Sequence, residues 1–328
     1  MTTLHETVLA RLLMQYGVGY RQTIGVHSGY RNISHLVETN VGPRNLILYK
    51  HEPGIAARIR RVNTMGRYLH SHDVPVRYAY DERIMTLTSK YQTRYAGLYN
   101  HLPGVTIAWE MYTMKHIKLL GWAMGDMHRL LTDYTQPLPS VRDEYESIFS
   151  HVQHYFARPD VQQAMKNKLR IGLDTQTIAL AVQYLHAHPK APAHALHMDL
   201  VRGNVLFRTN VAGRYSLGST ELSGILDLEK AAQGPPEFDV ARSLAFLFVD
   251  SIKSPEQIVK YFVRSGYIKR GHMSSPDMAW IRQLIDMFLL YDLYKFLRDN
   301  PYESLSDNHH FVRTRDILCQ RQMLQYSR

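Results

Sequence analysis

The pattern of hydrophobic positions changes from helical to strand-like within the first hundred residues. Apolar positions of the opening segment recur at helical spacing, and Gly17 is placed to end that helix. Strand-like runs follow in RQTIGVHSGYRN, ISHLVET and LILYK, the last of which ends in Lys50. A basic helical segment, IAARIRRVNTMGRYLHSH, precedes two further strand-like runs, RIMTLTS and RYAGLY. This order predicts a small sheet with one helix inserted after its third strand.

From Pro103 and Gly104 onwards the hydrophobic pattern is mainly helical. Apolar residues at helical spacing in MYTMKHIKLLGWAMGDMHRLL predict a helix whose methionines belong to the core. Further helices are predicted within 141–187 and 237–299, and strand-like pieces at 204–207 and 223–228. A chain of 328 residues with this division is expected to form two domains or lobes.

The composition is that of a folded protein whose positive charge is unevenly spread. Hydrophobic residues make up 45% of the chain and charged residues 21%, which excludes a disordered chain. The formal net charge is +10, and the first 100 residues contain 13 Lys and Arg against 6 Asp and Glu. Such a basic part attracts a polyanion or a nucleotide, or it is only a solvated surface. The segment ARIRRVNTMGRYLHSHDVPVRY is basic with interleaved aromatic residues, so nucleic-acid binding is a less favoured alternative to packing beside a nucleotide.

Cysteine content and apolar run length indicate the compartment. The single cysteine, Cys319, excludes a disulfide within the chain, which fits a reducing compartment. The N-terminal segment lacks the long apolar centre of a secretory signal, and the apolar runs are too short to cross a bilayer. We therefore expect a cytoplasmic protein without a membrane partner.

The residues that carry chemistry cluster in ALHMDLVRGNVLF, between two apolar segments. Asp199 can accept a proton from a hydroxyl group or orient that group, and the side-chain carbonyl of Asn204 can ligate a hard cation. A second carboxylate for that cation, Asp227, follows the apolar run GIL, 28 residues after Asp199. The alternatives are that Asp199 and Asn204 only cap a turn, that Asp227 is an ordinary acid at a strand end, and that Lys50 is one more surface lysine.

The order of these residues is that of the kinases: a base, a metal-binding Asn and a metal-binding Asp. Upstream lie a glycine-containing strand turn and Lys50 at the end of a third strand. From Asp227 to Asp239 there are only 12 positions, which leave no room for the activation segment of a protein kinase. The pattern therefore favours a small-molecule acceptor over a protein.

Two segments, HMDLVRGNVLF and ILDLEKAAQGPPEFDVARSL, resemble the aminoglycoside phosphotransferase/choline kinase-like family of small-molecule kinases. Sequences of that family typically read H-G-D-x-x-x-x-N, then I-D-W/F-E, then P-x-x-D-L-A. LYNHLPG is similar to the family's hinge, and LLGWAMGDMHRLL to its first large helix. The resemblance implies a two-lobed, protein-kinase-like α+β fold. It implies an N-terminal nucleotide-binding lobe (1–99), an antiparallel sheet with one helix, and a mainly helical C-terminal catalytic and acceptor-binding lobe (100–328), joined by a hinge at about 99–104.

The resemblance also implies that the γ-phosphate of MgATP is transferred to a hydroxyl group of a small molecule. Asp199 would be the catalytic base or the orienting residue, and Asn204 and Asp227 would hold Mg²⁺. His197 and Asp239 would support the catalytic loop, while Glu229 is either a neighbour of the metal or a solvated acid. The groups implied in nucleotide binding are Lys50 at the α- and β-phosphates, the backbone around Ser28, Gly29, Tyr30 and Asn32 over the phosphates, and the backbone of Asn100 to Leu102 at the adenine edge.

Two departures from the family's pattern keep other functions open. The glycine loop reads GVHSGYRN instead of G-x-G-x-x-G. Kinases of this fold usually pair the strand lysine with a Glu on the inserted helix, but no Asp or Glu occurs from Pro53 to His72, and Asn63 lies near the expected position. A nucleotide-binding pseudokinase that serves as an interaction module is therefore the alternative, and a basic nucleic-acid binder is a third reading.

The aromatic-rich segment MAWIRQLIDMFLLYDLYKFL is the candidate acceptor region. Asp286 and Asp292 lie among its aromatic residues, where an acid can receive a cationic substrate. The alternative is a core helix with exposed acids. The sequence leaves the acceptor and the oligomeric state open.

Overall fold

The computed structural model describes residues 4–29, 32–88, 93–210 and 212–326 of the chain. Contacts within the chain define two compact units. Unit 1 comprises Met1–Thr106, Gly203–Arg214 and Glu221–Glu229, and unit 2 comprises Ile107–Arg202, Tyr215–Thr220 and Lys230–Arg328.

The strands are β1 (Tyr20–Ser28), β2 (Ile33–Thr39), β3 (Arg44–Lys50), β4 (Ala79–Thr88), β5 (Thr93–Asn100), β6 (Ile171–Gly172), β7 (His194–Leu196), β8 (Val205–Thr209), β9 (Ser216–Leu217), β10 (Thr220–Ile225), β11 (Ala232–Gly234) and β12 (Gln325–Tyr326). The helices are α1 (Glu6–Gln15), α2 (Ile55–Ser71), α3 (Met114–Leu131), α4 (Val141–Phe156), α5 (Pro159–Ala164), α6 (Thr175–His186), α7 (Pro236–Asp250), α8 (Pro255–Ile258), α9 (Met278–Asp299) and α10 (His309–Gln320). Two π-helical segments, Met165–Leu169 and Val259–Ile268, continue α5 and α8.

Unit 1 is built on a five-stranded antiparallel sheet in the order β1-β2-β3-β5-β4. The central strand β3 pairs through Leu46 with His35 of β2 and with Leu98 of β5. Helix α1 precedes the sheet, and α2 is inserted between β3 and β4. The predicted small sheet with one helix after its third strand is therefore confirmed.

Both faces of β3 are covered by a helix. Leu46 and Leu48 pack in a buried cluster with leucines of α1, whereas Ile47 and Tyr49 pack with Ile55 of α2. Burial of each of the leucine and isoleucine side chains contributes about 1.5–3 kcal/mol. Successive residues of a strand point to opposite faces, so each residue of β3 faces only one of the two helices.

Helix α2 begins directly after Gly54, whose φ of 77° lies in the left-handed region. Glycine adopts this conformation readily, whereas a residue with a side chain would lose roughly 1–2 kcal/mol there. The turn lets the chain leave β3 and enter the helix within four residues. Ile59, Met65 and Leu69 of α2 are then buried.

Two later strands return to unit 1. Val105 and Phe207 exchange backbone hydrogen bonds of 2.9 Å, and β8 pairs with β10. At the end of β10, the N–H of Ile225 donates to the carbonyl oxygen of Pro75 at 2.7 Å, and the N–H of Arg77 donates to Ile225 at 2.9 Å. These bonds attach both strands of the hairpin to the rest of unit 1, and Asn204 and Asp227 lie at its open end.

Unit 2 is mainly helical, as predicted for the C-terminal part of the chain. Helix α3 packs against the segment Val259–Ile268, and α7 packs against α9. Gly121 permits the first of these contacts, because a Cβ at this position would lie 2.1 Å from the carbonyl oxygen of Phe262. Met124 and Met127 of α3 are buried, as predicted for core residues, whereas Met114 at the start of the helix is only half-buried.

A short antiparallel ladder in unit 2 introduces the sequence motif. Leu196 of β7 pairs with Ala232 of β11, and His194 pairs with Gly234. The chain leaves β7 directly at His197, and α7 begins two residues after β11. The ladder therefore places the turn after β7 beside the first turn of α7.

Candidate active site

The turn that follows β7 is held by a buried carboxylate from α7. Asp239 accepts hydrogen bonds from the backbone N–H groups of His197 (2.8 Å) and Met198 (3.0 Å). The buried imidazole of His128 donates from Nε2 to Asp239 at 3.1 Å, and its Nδ1 lies 2.9 Å from the hydroxyl of Tyr267. Asp239 thereby connects α3 and α7 with the turn that leads to Asp199.

Asp239 remains ionised in spite of its burial. Burial by itself raises the pKa of this carboxyl group, but the hydrogen bond and the charge of His128, together with His197, lower it more. The net result is a pKa of Asp239 below its ordinary value. In the ionised form both carboxylate oxygens can accept hydrogen bonds. The two backbone N–H groups and His128 can therefore donate to Asp239 at the same time.

Met198 occupies the position at which the family's motif has glycine. Its φ of 61° lies in the left-handed region, which costs roughly 1–2 kcal/mol for a residue with a side chain. The side chain is buried, and the backbone N–H is bound by Asp239. Packing and the hydrogen bond therefore maintain a conformation that the sequence alone disfavours.

Asp199 follows this turn and is 9% exposed. Its Oδ1 accepts a hydrogen bond from Nζ of Lys230 at 2.8 Å, and its backbone N–H donates to Nδ1 of His197 at 3.2 Å. Ser243 of α7 donates to the carbonyl oxygen of Leu200 at 3.2 Å. The carboxylate is thus fixed by its own turn and by a cation, Lys230, which the sequence analysis did not identify. The side chain of Lys230 is 56% exposed, so it can reach groups that approach from solvent.

Asn204 and Asp227 lie on adjoining segments of unit 1. The backbone N–H of Leu226 donates to the carbonyl oxygen of Asn204 at 2.8 Å. Asp227 has a φ of 56°, and its Oδ1 accepts a hydrogen bond from the backbone N–H of Glu229 at 3.1 Å. Asn204, Asp227 and Glu229 are all half-buried. Their side-chain oxygens are donors of the type that Mg²⁺ prefers.

Glu229 connects three segments of unit 1. Nδ2 of Asn32 donates to its Oε1 at 2.7 Å. Nη1 of Arg58, on α2, lies 3.9 Å from Oε2 of Glu229 and 2.5 Å from Oε1 of Glu52. Glu229 is therefore a paired acid, and it joins the β1–β2 connection and α2 to the segment that begins with Asp227.

The connection between β1 and β2, predicted to cover the phosphates, is described in part. Ser28 is the last residue of β1 and is exposed. The N–H of Gly29 donates to the carbonyl oxygen of Asn32 at 2.9 Å. Tyr30 lies outside the described residues. Asn32 reaches the segment that follows Asp227 through its hydrogen bond to Glu229.

The residues of β3 that face α2 are Ile47 and Tyr49. Lys50 is exposed and shares the other strand face with Leu48, so its phosphate contact remains a prediction. The hydroxyl of Tyr49 donates to that of Tyr99 at 2.8 Å, which in turn donates to Oδ1 of Asn63 at 3.1 Å. Burial raises the pKa of Tyr99 to about 12 and that of Tyr49 well above its ordinary value, so both are neutral. A neutral hydrogen-bond chain thus links β3 and β5 to Asn63 of α2, near the position at which the usual acid was expected.

The predicted adenine-binding segment lies at the end of β5. The backbone N–H of Asn100 donates to the carbonyl oxygen of Tyr78 at 3.1 Å, and its Oδ1 accepts from the N–H of Tyr78 at 2.8 Å. Asn100 and Leu102 line a cleft of about 430 Å³ together with His70 and Asp73. The backbone N–H and the side-chain oxygen of Asn100 are therefore both hydrogen-bonded to Tyr78 within unit 1. The adenine contact of residues 100–102 remains a prediction.

The two acids of α9 are paired with cations of unit 2. Asp292 is buried and lies 3.1 Å from Nη1 of Arg242 and 2.7 Å from Nζ of Lys295. Asp286 is paired with Arg321, and burial raises its pKa to about 6. Because both acids already pair with cations of unit 2, these contacts favour a structural helix over a site for a cationic substrate.

Part of the positive charge of α2 is neutralised. Arg58 pairs with Glu52, and Arg67 pairs with Glu82 on β4. The ion pairs favour the interpretation of this basic segment as a packed helix over nucleic-acid binding.

The model of the phosphotransferase enzyme family matches residues 23–283 of the chain, which include the turn at Asp199 and the segment from Asp227 to Asp239. The chain belongs to the phosphotransferase enzyme family. Membership confirms the resemblance that the motifs indicated and the predicted enzyme class, a phosphotransferase. Comparison with curated proteins found no match.

Solved structures show that this phosphotransferase has the predicted two-lobed, protein-kinase-like fold. An amicoumacin kinase in complex with AMP-PNP and Ca²⁺ is 15% identical, with a TM-score of 0.68 over 98% of this chain and 97% of that one. A microcompartment-associated aminopropanol kinase is 15% identical, with a TM-score of 0.67 over 97% of each chain. The GDP complex of aminoglycoside 2'-phosphotransferase-IIIa is 14% identical, with a TM-score of 0.62 over 97% of this chain and 100% of that one. Within the described part of the phosphotransferase, no helix is long and apolar enough to span a membrane.

Proposed function

We propose that the protein transfers the γ-phosphate of ATP, bound with Mg²⁺, to a hydroxyl group of a small molecule. The observation that carries the proposal is the environment of Asp199. Its carboxylate is largely buried and accepts a hydrogen bond from Lys230 at 2.8 Å, and the turn before it is held by hydrogen bonds to Asp239. A carboxylate fixed in this way can accept the hydroxyl proton or orient the hydroxyl towards phosphorus. Phosphoryl transfer depends mainly on such positioning and on charge neutralisation.

The donor set of unit 1 fits a magnesium ion that shares its ligands with a nucleotide. Among the described residues, no group of three or more His, Cys, Asp or Glu side chains could hold a metal ion. Asn204 and Asp227 would therefore hold Mg²⁺ together with phosphate oxygens and water, which is the usual mode for this ion. When bound, Mg²⁺ supplies charge neutralisation at the phosphates. Glu229 then keeps Asn32 close to the nucleotide, while Asp227 provides the carboxylate.

The proposed nucleotide contacts come from unit 1. The backbone at Ser28 and Gly29 covers the phosphates, Lys50 approaches them from the end of β3, and the backbone of residues 100–102 borders the adenine. Two of the similar structures are kinases named for amicoumacin and aminopropanol. We therefore include amino alcohols and antibiotics that carry hydroxyl groups among the candidate acceptors.

The test is a comparison of Asp199→Asn with a matched surface variant, Asp160→Asn, after an acceptor has been found by thermal shift and ATP turnover. Asp160 is exposed and pairs with Arg158. We expect Asp199→Asn to lower kcat by about 100- to 10,000-fold, because it removes the base or orienting group. The Kd of MgATP should change less than about threefold, which is under 1 kcal/mol. Wild-type kcat in Asp199→Asn would refute the role of this residue.

A pseudokinase that binds nucleotide and acts as an interaction module is the second candidate. It is favoured by the neutral chain of Tyr49, Tyr99 and Asn63, which replaces the usual ion pair. Binding of MgATP without turnover of any hydroxyl acceptor, in a panel that includes amino alcohols and aminoglycosides, would support this candidate. Turnover of one acceptor would exclude it.

A further inference from the structure

A cation reaches the Asp227–Glu229 segment from α2 and not from β3. The β3 residues that face α2, Ile47 and Tyr49, are uncharged, and Lys50 lies on the opposite face. Arg58, one turn into α2, has its Nη1 3.9 Å from Oε2 of Glu229. In unit 1 a helix cation therefore lies beside the Asp227–Glu229 segment, in place of the usual lysine on the strand paired with an acid on the helix.

Arg58 is oriented by two acids and remains accessible. Its Nη1 lies 2.5 Å from Glu52, just before α2, and the side chain is 24% exposed. A guanidinium group has five N–H donors, more than the two carboxylate oxygens in these ion pairs require. Asn32 donates to the other oxygen of Glu229 at 2.7 Å, so Arg58 and Asn32 flank one carboxylate two positions after Asp227.

We propose that Arg58 binds a phosphate group of the nucleotide and supplies the positive charge that a strand lysine would otherwise provide. A guanidinium group matches two phosphate oxygens at once, and such charge-assisted bonds are among the strongest in proteins. Glu52 and Glu229 are positioning residues that hold the guanidinium group beside the metal-binding carboxylate. This inference rests on the proposed function, because it requires a nucleotide at the Asp227 segment.

The experiment is calorimetric titration of the full chain with MgATP, MgADP and adenosine. The variants are Arg58→Gln and the control Arg60→Gln, which removes the same charge from an exposed position of the same helix. Arg58→Gln should weaken MgATP and MgADP binding about tenfold or more, because both keep the α- and β-phosphates that a strand lysine would contact, and adenosine binding less than about twofold. Arg60→Gln should change all three affinities less than about twofold, because a distant surface charge is screened. Arg58→Lys keeps the charge but cannot bind two phosphate oxygens at once. We therefore expect the same pattern of affinity losses among the three ligands, with each loss smaller than in Arg58→Gln.

Three results would overturn the role of Arg58. The first is an equal loss for all three ligands, which would indicate a structural effect. The second is a loss of MgATP affinity by Arg58→Gln that does not exceed that of Arg60→Gln. The third is a larger loss in Lys50→Gln than in Arg58→Gln. Thermal melting without ligand identifies a misfolded variant, and Arg58→Lys then carries the test.

The same titrations separate this inference from the proposed function. A wild-type chain that does not bind MgATP would refute the function itself. A chain that loses MgATP binding in Asp227→Ala and keeps it in Arg58→Gln would refute only the role of Arg58.

Discussion

Replacing Asp239 by Asn should destabilise unit 2, because the carboxylate is the common acceptor of three donors. These donors are the backbone N–H groups of His197 and Met198 and the Nε2–H of His128. An Asn side chain has one acceptor oxygen, and its other group is an NH₂ donor. In Asp239→Asn at least one of the buried N–H groups would therefore face another donor.

The size of the effect follows from these bonds. A hydrogen bond to a charged group contributes about 1.5–3 kcal/mol, and a buried donor without an acceptor costs about 1–3 kcal/mol. Asn keeps one of the bonds at the strength of a neutral pair and loses the rest. We therefore expect Asp239→Asn to lower the free energy of unfolding by roughly 3 kcal/mol. The surface variant Asp160→Asn should leave it nearly unchanged, because exposed ion pairs contribute little.

The assay is urea denaturation, monitored by far-ultraviolet circular dichroism and tryptophan fluorescence. Variants are compared only if the unfolding free energy falls with urea concentration at the same slope (m-value). A double-mutant cycle with His128→Gln should give a coupling of at least about 1 kcal/mol, since both side chains belong to one buried pair. A loss below about 1 kcal/mol in Asp239→Asn would show that the turn does not depend on this charge, and the reasoning would be wrong.

The lowered pKa of Asp239 also predicts that the free energy of unfolding decreases at acid pH. Its pKa is lower in the folded state than in the unfolded state, so its contribution is complete above the unfolded pKa of about 3.9. That contribution is lost as pH falls further, through the folded-state pKa. Wild type should therefore lose stability more steeply than Asp239→Asn below about pH 4. Parallel curves for the two proteins would contradict this linkage.

Two further predictions concern other parts of unit 2. Gly121→Ala should lower the free energy of unfolding by about 1–3 kcal/mol or more, because the added Cβ would lie 2.1 Å from the carbonyl oxygen of Phe262. An unchanged melting temperature would count against this close helix contact. Lys230→Gln should lower kcat by about 10- to 100-fold, because Asp199 loses the cation at 2.8 Å, while Lys230→Arg should retain part of the activity. Steady-state kinetics with the identified acceptor check the second prediction, and a kcat equal to wild type in Lys230→Gln would exclude a role for this contact.

The sequence by itself determined the type and order of the main elements and the family. The apolar spacing of α1, α2 and α3 and the β-prone runs of the first sheet are local properties, so they can be recognised without tertiary contacts. The same holds for the motif residues from His197 to Asn204 and from Asp227 to Asp239, which form short continuous segments and carry the resemblance. Gly54 is a further local signal, because a left-handed turn before a helix favours glycine.

Only the tertiary structure decided which side chains meet. Strand β3 is apolar on both faces because a helix covers each one, so its sequence has no period that shows whether Tyr49 or Lys50 faces α2. Lys230 and Asp199 are 31 residues apart, and His128 and Asp239 are 111 apart. Such pairs depend on how separate elements pack, and no local pattern of residues encodes that packing.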